Sequence, residues 1–259
     1  MTMTHNDCCF VIAVNDDRIL DNNFKKSKYL DQIETIILKG YNSATKAYND
    51  AIRKTDKNYL IFVHQDVYLP IPWMNDAVNC INTLNETNPN WGVIGVAGVN
   101  RNGEIIGKLW SQGIKREIDY GRDFEEAYSV DEVLIIFNKK SNLEFDENLP
   151  GFHLYGTDIV LESVKNGLHN YVIKLPIIHN DKEKYLLDKS YWNSYCYMKK
   201  KWFSVLPIST TIVPITKYGL VFFIRQIKQA KVVFINSICN VKNKHLEEPD
   251  LKAKELGYE

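Results

Sequence analysis

The chain has 259 residues, of which 45% are hydrophobic and 25% charged, and its formal net charge is +0. These values suit one large folded domain, or a domain with an appendage, and exclude extensive disorder and a general attraction to nucleic acid. Five cysteines (Cys8, Cys9, Cys80, Cys196 and Cys239) with no Cys-x-x-Cys pair argue against a disulfide framework or zinc site and fit a reducing cytosol.

In chain order, Cys8 to Val14 is a continuous apolar run, which reads as a buried strand and stops at Asn15-Asp16-Asp17. A helical stretch is expected around Lys25 to Leu30, and Ile33 to Gly40 reads as a second strand closed by glycine. In Asn42 to Thr55, Ala44, Ala47, Tyr48, Ala51 and Ile52 recur at helical spacing, with Ser43 placed to cap. "YLIFVHQD" is the third strand. Pro70 and Pro72 then break the chain before a helix near Trp73 to Leu84, with Pro72 suited to its first turn. Trp91 to Val99 reads as a fourth strand, followed by the candidates "EIIGKLW" and "DEVLIIF". "TDIVLESVKNG" reads as a helix ended by Gly167, and "YVIKLPIIH" as a late strand ending at His179.

Strands alternating with helices imply an α/β fold with a largely parallel central sheet flanked by helices. In such sheets ligands bind beyond the carboxyl ends of the strands. Three polar clusters close strands here: Asn15-Asp16-Asp17, His64-Gln65-Asp66 and His179-Asn180. They are expected to converge on one crevice.

The charge is unevenly spread. From Lys189 to Leu246 there are ten Lys or Arg and no Asp or Glu, an asymmetry that marks a surface meeting anions. Between Tyr218 and Lys244, Leu220, Phe223, Ile224 and Ile227 fall at helical spacing with Arg225, Lys228 and Lys231 among them. This predicts a basic amphipathic helix of the kind that lies on anionic membranes. The N-terminus shows no basic-then-apolar leader, and no apolar run reaches the ~20 residues of a membrane span. The expected location is the cytoplasm, with peripheral contact at the inner face of the membrane.

Three segments resemble a known family. "NSATKAYNDAIRKTDKNYLIFVHQDVYLP" resembles the stretch through the metal motif of GT-A glycosyltransferases of the family 2 type, in the bacterial branch with His-Gln-Asp in place of Asp-x-Asp. "FDENLPGFHLYGTDIVLE" is similar to that group's acceptor-side segment, and "LPIIHN" to the later strand whose His completes the metal site. The resemblance covers roughly Phe10 to Asn180. It implies a GT-A (Rossmann-like) domain over residues 1–185, with 186–259 a basic, mainly helical extension packed on it. It also implies inverting, metal-assisted transfer of a sugar from a nucleotide-sugar donor, UDP-linked, to a saccharide or lipid-linked acceptor, in bacterial surface polysaccharide synthesis.

The residue roles follow from the same resemblance. Asp66 and His179 would bind Mn or Mg, a cation that neutralises the departing diphosphate. Asp158 would take the proton of the acceptor hydroxyl. Val14, Asn15, Asp17, Lys46, Asn49, His64 and Gln65 would line the donor pocket. Asp131, Glu132, His153 and Trp110 are acceptor-side candidates, with Asp131 and Glu132 as alternative bases. His64 stands where the family has its first Asp, which leaves its role open between metal and donor. A homo-oligomer is also left open.

Other readings use the same residues. His64, Asp66 and His179 match the triad of non-haem iron oxygenases, but those sites sit in all-β jelly rolls with an arginine soon after the distal His, and the next here is Arg225. A non-catalytic nucleotide-binding or scaffold protein would share the fold. A sugar-phosphate nucleotidyltransferase would need a Gly-rich basic loop after the first strand, which is lacking. In simpler terms, Asp66 would cap a turn, Asp158 would oppose a helix dipole and His179 would merely end a strand.

Overall fold

Strand β1 (Cys8–Ala13) is buried along nearly its whole length, and the fold is built outwards from it. The computed structural model describes residues 2–28, 30, 32–182, 186–238 and 245–259. After β1 come α1 (Asp17–Asn22), β2 (Glu34–Leu38), α2 (Ala44–Lys54), β3 (Tyr59–Val63), β4 (Val67–Tyr68), α3 (Trp73–Thr87) and β5 (Trp91–Gly95). A run of short strands follows: β6 (Ala97–Val99), β7 (Ile105–Ser111), β8 (Arg116–Tyr120), β9 (Phe124–Glu126), β10 (Ser129–Val130) and β11 (Leu134–Asn138). The chain ends with α4 (Tyr155–Lys165), β12 (His169–Ile173), β13 (Ile178–His179), α5 (Lys189–Lys201), α6 (Leu220–Ile238) and α7 (Pro249–Glu255).

The main sheet has the order β2-β1-β3-β11-β5-β12-β9. Its strands β2, β1, β3, β5 and β12 run one way, and β11 and β9 the other. The fold is therefore α/β with a mostly parallel central sheet. Alternation along the strands divides the core. Phe10, Ile12, Ile61 and Val63 face α1 and α3 through Leu20, Trp73, Ala77 and Ile81. Cys9, Val11, Leu60 and Phe62 face α2, α4 and α5 through Ala47, Tyr48, Ile159 and Tyr195. Alanines 44, 47 and 51 let α2 approach closely, and Ser43 caps it by accepting from the Lys46 amide. Among the described residues Cys8, Cys9, Cys80 and Cys196 are free thiols.

A second sheet, β10-β6-β7-β13-β4 with β8 on β7, stands at the carboxyl end of the first. Two expected strands cross between the sheets. Trp91 to Val99 breaks at Val96, giving β5 to one sheet and β6 to the other. "YVIKLPIIH" breaks before Ile178, because Pro176 cannot donate to a ladder. The helix expected around Lys25 to Leu30 is corrected: α1 starts earlier, capped by Asp16, and Phe24–Lys26 is a single 3-10 turn. Tyr29 lies outside the described residues.

The C-terminal segments join the same body. Tyr191, Tyr195 and Met198 of α5 are buried with the main sheet. Ala253 of α7, with Tyr258, packs on Tyr68 and Ile178 of β4 and β13. The expected basic helix is α6; residues 239–244 of that stretch lie outside the described residues.

Candidate metal and donor site

The site begins where β3 ends. The His64 amide donates to Val133 O (3.1 Å), and the Val67 amide closes a tight turn onto His64 O (3.2 Å). The chain then enters β4, which pairs antiparallel with β13 so that His179 lies opposite Val67. The Asn180 amide donates to Asp66 O (2.8 Å). These pairings gather His64, Asp66 and His179, whose ligating atoms lie within 4.8 Å of one another. His179 Nε2 is 3.5 Å from Asp66 Oδ1, and His64 Nδ1 is 4.0 Å from the same oxygen.

Neighbouring groups hold each member in place. Behind His179, its Nδ1 is 3.7 Å from Asp181 Oδ1. That oxygen is held by the Ser111 hydroxyl (3.0 Å) and the Gly113 amide (2.9 Å). A carboxylate behind a histidine ring is the usual support of a metal-ligating imidazole. His64 Nε2 is 3.3 Å from the Tyr155 hydroxyl, which donates its proton to Glu132 O (3.1 Å). With the Tyr155 proton on Glu132 O, the tautomer that satisfies this contact carries its proton on His64 Nε2 and leaves Nδ1 as the atom facing Asp66. Gln65 ties the turn to the loop after β1. Its Oε1 accepts from the Asn15 amide (3.0 Å) and the Asp16 amide (3.2 Å), and its Nε2 donates to Asn15 Oδ1 (2.6 Å).

The electrostatics are those of a compact charged pair. Burial would raise the Asp66 carboxyl, but His179 outweighs it and holds that carboxyl well below the usual range. Burial works against the charge on His179, yet Asp66 and Asp181 push it up to about 9. Burial keeps His64 below its ordinary value, against the pull of Asp66. In the protein without metal, protonated His179 is thus the counter-charge of Asp66. One carboxylate and two imidazoles can hold a divalent cation, and Mn, a hard ion that takes carboxylate oxygen and also accepts imidazole, is compatible with that set.

A cavity of ≈ 430 Å³ is lined by Asp16, Arg18, Asn23, Lys182 and His245 among others, and by none of His64, Asp66 and His179. Two of its lining residues bond chain neighbours of the cluster: the Asp16 amide donates to Gln65, and His245 Nδ1 meets Asn180 O. Its size is within the range of small-ligand sites.

The other sequence candidates are distributed as follows. Val14 is buried and Asn15 is held by Gln65, whereas Asp17 is paired with Lys39 (2.6 Å). Lys46 is exposed. Asn49 is buried with its amide committed to Phe145 (2.9 Å) and Glu147 (3.1 Å), so it pins a loop. Trp110 is covered by Lys252, whose ammonium lies 4.1 Å from the ring centre. His153 packs by Tyr191 at 5.2 Å.

The carboxylates are placed differently from expectation. Asp158 is buried, with Oδ1 bonded to Trp202 Nε1 (2.7 Å) and Oδ2 to Lys201 Nζ (2.9 Å). Burial raises its pKa, and Lys201 opposes that rise. A carboxylate so enclosed holds α4 to α5. Asp131 accepts from the Val133 amide (3.1 Å) and from the Thr211 hydroxyl (2.6 Å). Glu132 instead lies at the start of α4, accepting from the Gly156 amide (3.3 Å), beside the Tyr155 that touches His64. Burial, and then Asp131, push Glu132 up to about 8.

Sequence reasoning missed Tyr155 and Asp181. Both sit within or beside quoted motifs: Tyr155 in "LYGTD", and Asp181 two residues beyond His179. Spacing was the available signal, but only the fold shows that these side chains turn towards the cluster.

The model of a family described as "Glycosyltransferase like family" matches residues 9–202, from β1 through α5 and across the whole cluster. A curated relative, "ATP synthase subunits region ORF 6" of Fuscovulum blasticum, is 28% identical over 127 residues, 47% of this chain and 51% of that protein. The match thus spans about half the relative's length. Among solved structures, TarS of S. aureus has a TM-score of 0.47 at 13% identity, over 78% of this chain and 40% of that one. Mannosyltransferase PcManGT from Pyrobaculum calidifontis, in complex with GDP-Man and Mn2+, has a TM-score of 0.45 at 9% identity, over 75% and 60%. With the family match covering about three quarters of its residues, His64, Asp66 and His179 among them, the chain belongs to the Glycosyltransferase like family.

Proposed function

We propose that the protein is an inverting, metal-assisted glycosyltransferase that uses a nucleotide-sugar donor, UDP-linked, and a saccharide or lipid-linked acceptor in building a bacterial surface polysaccharide. The observation that carries this reading is the His64-Asp66-His179 cluster at the carboxyl end of the mostly parallel sheet. His64, Asp66 and His179 would hold the cation, with Asp181 and Tyr155 orienting the two rings. A bound Mn or Mg ion supplies charge neutralisation for the departing diphosphate. The donor would extend from the cluster towards the cavity whose lining includes Lys182 and the Arg18–Asp16 ion pair.

Glu132 is the proposed base. Its carboxylate lies at the edge of the cluster region, and Asp158 is committed to Lys201 and Trp202. The acceptor oxygen attacks the anomeric carbon as its proton passes to a Glu132 oxygen. The bond from that carbon to the diphosphate breaks, and the electron pair leaves with the nucleoside diphosphate. Tyr155, buried against Tyr48 and Phe145, is held rigidly between His64 and Glu132.

A screen of nucleotide sugars with Mn, Mg or chelator tests the reading. Release of the nucleoside diphosphate from one donor, dependent on metal, is the expected result. Nucleotide binding without turnover of any donor would favour a non-catalytic binding protein. Iron-dependent oxygen consumption with no nucleotide binding would favour the oxygenase.

A further inference from the structure

Helix α6 (Leu220–Ile238) is attached to the body by one side of its first turns. Phe222 is 4% exposed and packs on Tyr191, Trp192 and Tyr195. Gln226, one turn on, exchanges hydrogen bonds with the backbone of Leu187 at 3.1 and 2.7 Å. At ~100° per residue, Phe222 and Gln226 define the inward side.

The outward side is apolar. Leu220 is 63% exposed, Ile227 61% and Phe234 68%, and Phe223, Ile224 and Ile235 are exposed with them. On the same helical count these six side chains fall within an arc of about 120°, opposite the inward side. A soluble surface rarely leaves so continuous an apolar stripe open unless something covers it.

The charges say what covers it. Lys231 lies inside the stripe and Lys228 at its border, and α6 has no acidic residue. The whole stretch from Lys189 to Leu246 has ten basic residues and no acid. Contact with a second copy through this face would bring like charges together, with no carboxylate on the helix to offset them. An anionic bilayer meets both demands: the acyl boundary takes the apolar stripe, and the lysine stems reach out to the headgroups. No helix among the described residues is long and apolar enough to cross a membrane, so this contact is one of lying on the surface.

We propose that the outward face of α6 docks on an anionic phospholipid bilayer, with Leu220, Phe223, Ile227 and Phe234 inserted and Lys228 and Lys231 at the headgroups. This docking is independent of the transfer reaction and stands or falls separately from it.

Vesicle flotation of the whole chain tests it. At low salt the protein should float with vesicles containing phosphatidylglycerol and stay behind with pure phosphatidylcholine. Roughly 0.5 M salt, where the Debye length shrinks to about 4 Å, should release most of it. Ile227→Asp with Phe234→Asp should weaken binding about tenfold or more, and Lys228→Gln with Lys231→Gln should remove the salt dependence. All four positions lie on the outward side, and circular dichroism confirms that the variants fold. Failure of the folded wild type to float at low salt would overturn the proposal. Undiminished binding by the Ile227→Asp, Phe234→Asp variant would do the same. So would a concentration-dependent dimer, lost on Ile227→Asp, in a chain that ignores vesicles.

Discussion

Glu132 and Asp158 show how two carboxylates near one helix start acquire different chemistry. Asp158 is enclosed by Lys201 and Trp202, while Glu132 meets backbone amides, that of Gly156 among them, and has a raised pKa. Glu132→Gln should lower turnover by ~10²–10⁴ while nucleotide affinity, measured by calorimetry, stays within about twofold. Equal loss of both would make it a binding residue. A second consequence concerns stability. The folded pKa of about 8 lies above the ordinary 4.5, so the contribution of Glu132 is complete below the lower value and is lost as pH rises through about 8. Relative to wild type, Glu132→Gln should gain thermal stability between pH 5 and pH 8.5; a difference that does not vary with pH contradicts this. At this scale the meeting of His64, Asp66 and His179 was legible, because His64-Gln65-Asp66 and His179 each close an apolar run. The different surroundings of Asp158 and Glu132 were not, because Lys201, the partner of Asp158, is far along the chain and arrives only when α5 packs.

At the scale of elements, the α4–α5 contact is electrostatic as well as apolar. Lys201 Nζ lies 2.8 Å from Asp146, 2.8 Å from Asp158 and 3.0 Å from Glu162. Lys201→Ala would leave the buried Asp158 without its cation and should cost about 3–5 kcal/mol, read from the denaturant midpoint. A loss under about 1 kcal/mol would show that Trp202 and water satisfy Asp158 alone. Helices α2 and α6 were readable from helical spacing, α2 also from its cap, and α3 from the prolines before it. The breaks at Val96 and before Ile178 were not, since an apolar run looks the same whether it stays in one sheet or crosses to another. Strands β4 and β13 have two residues each, too short for any periodic signal, yet their pairing is what brings His179 to Asp66.

For the whole molecule, the mostly parallel sheet followed from the alternation of strands and helices, and the crevice at its carboxyl end from that sheet. The second sheet and the return of the C-terminus onto it did not. Asn180, buried, joins three distant segments: its side chain bonds Asn23 (2.7 Å) and Leu246 (3.0 Å), and its amide bonds Asp66. Tyr68 donates to Glu259, and Tyr258 to Glu117 (2.7 Å), so α7 closes over β4 and β13 and supports the cluster from behind. These contacts arise from tertiary packing, which no local pattern encodes. The central claim, that His64, Asp66 and His179 form a metal site serving a nucleotide donor, is tested most directly by calorimetry of UDP with and without Mn. Wild-type binding should need Mn and should be lost in a folded Asp66→Asn variant. Equal affinity for UDP with Mn in wild type and Asp66→Asn would contradict it.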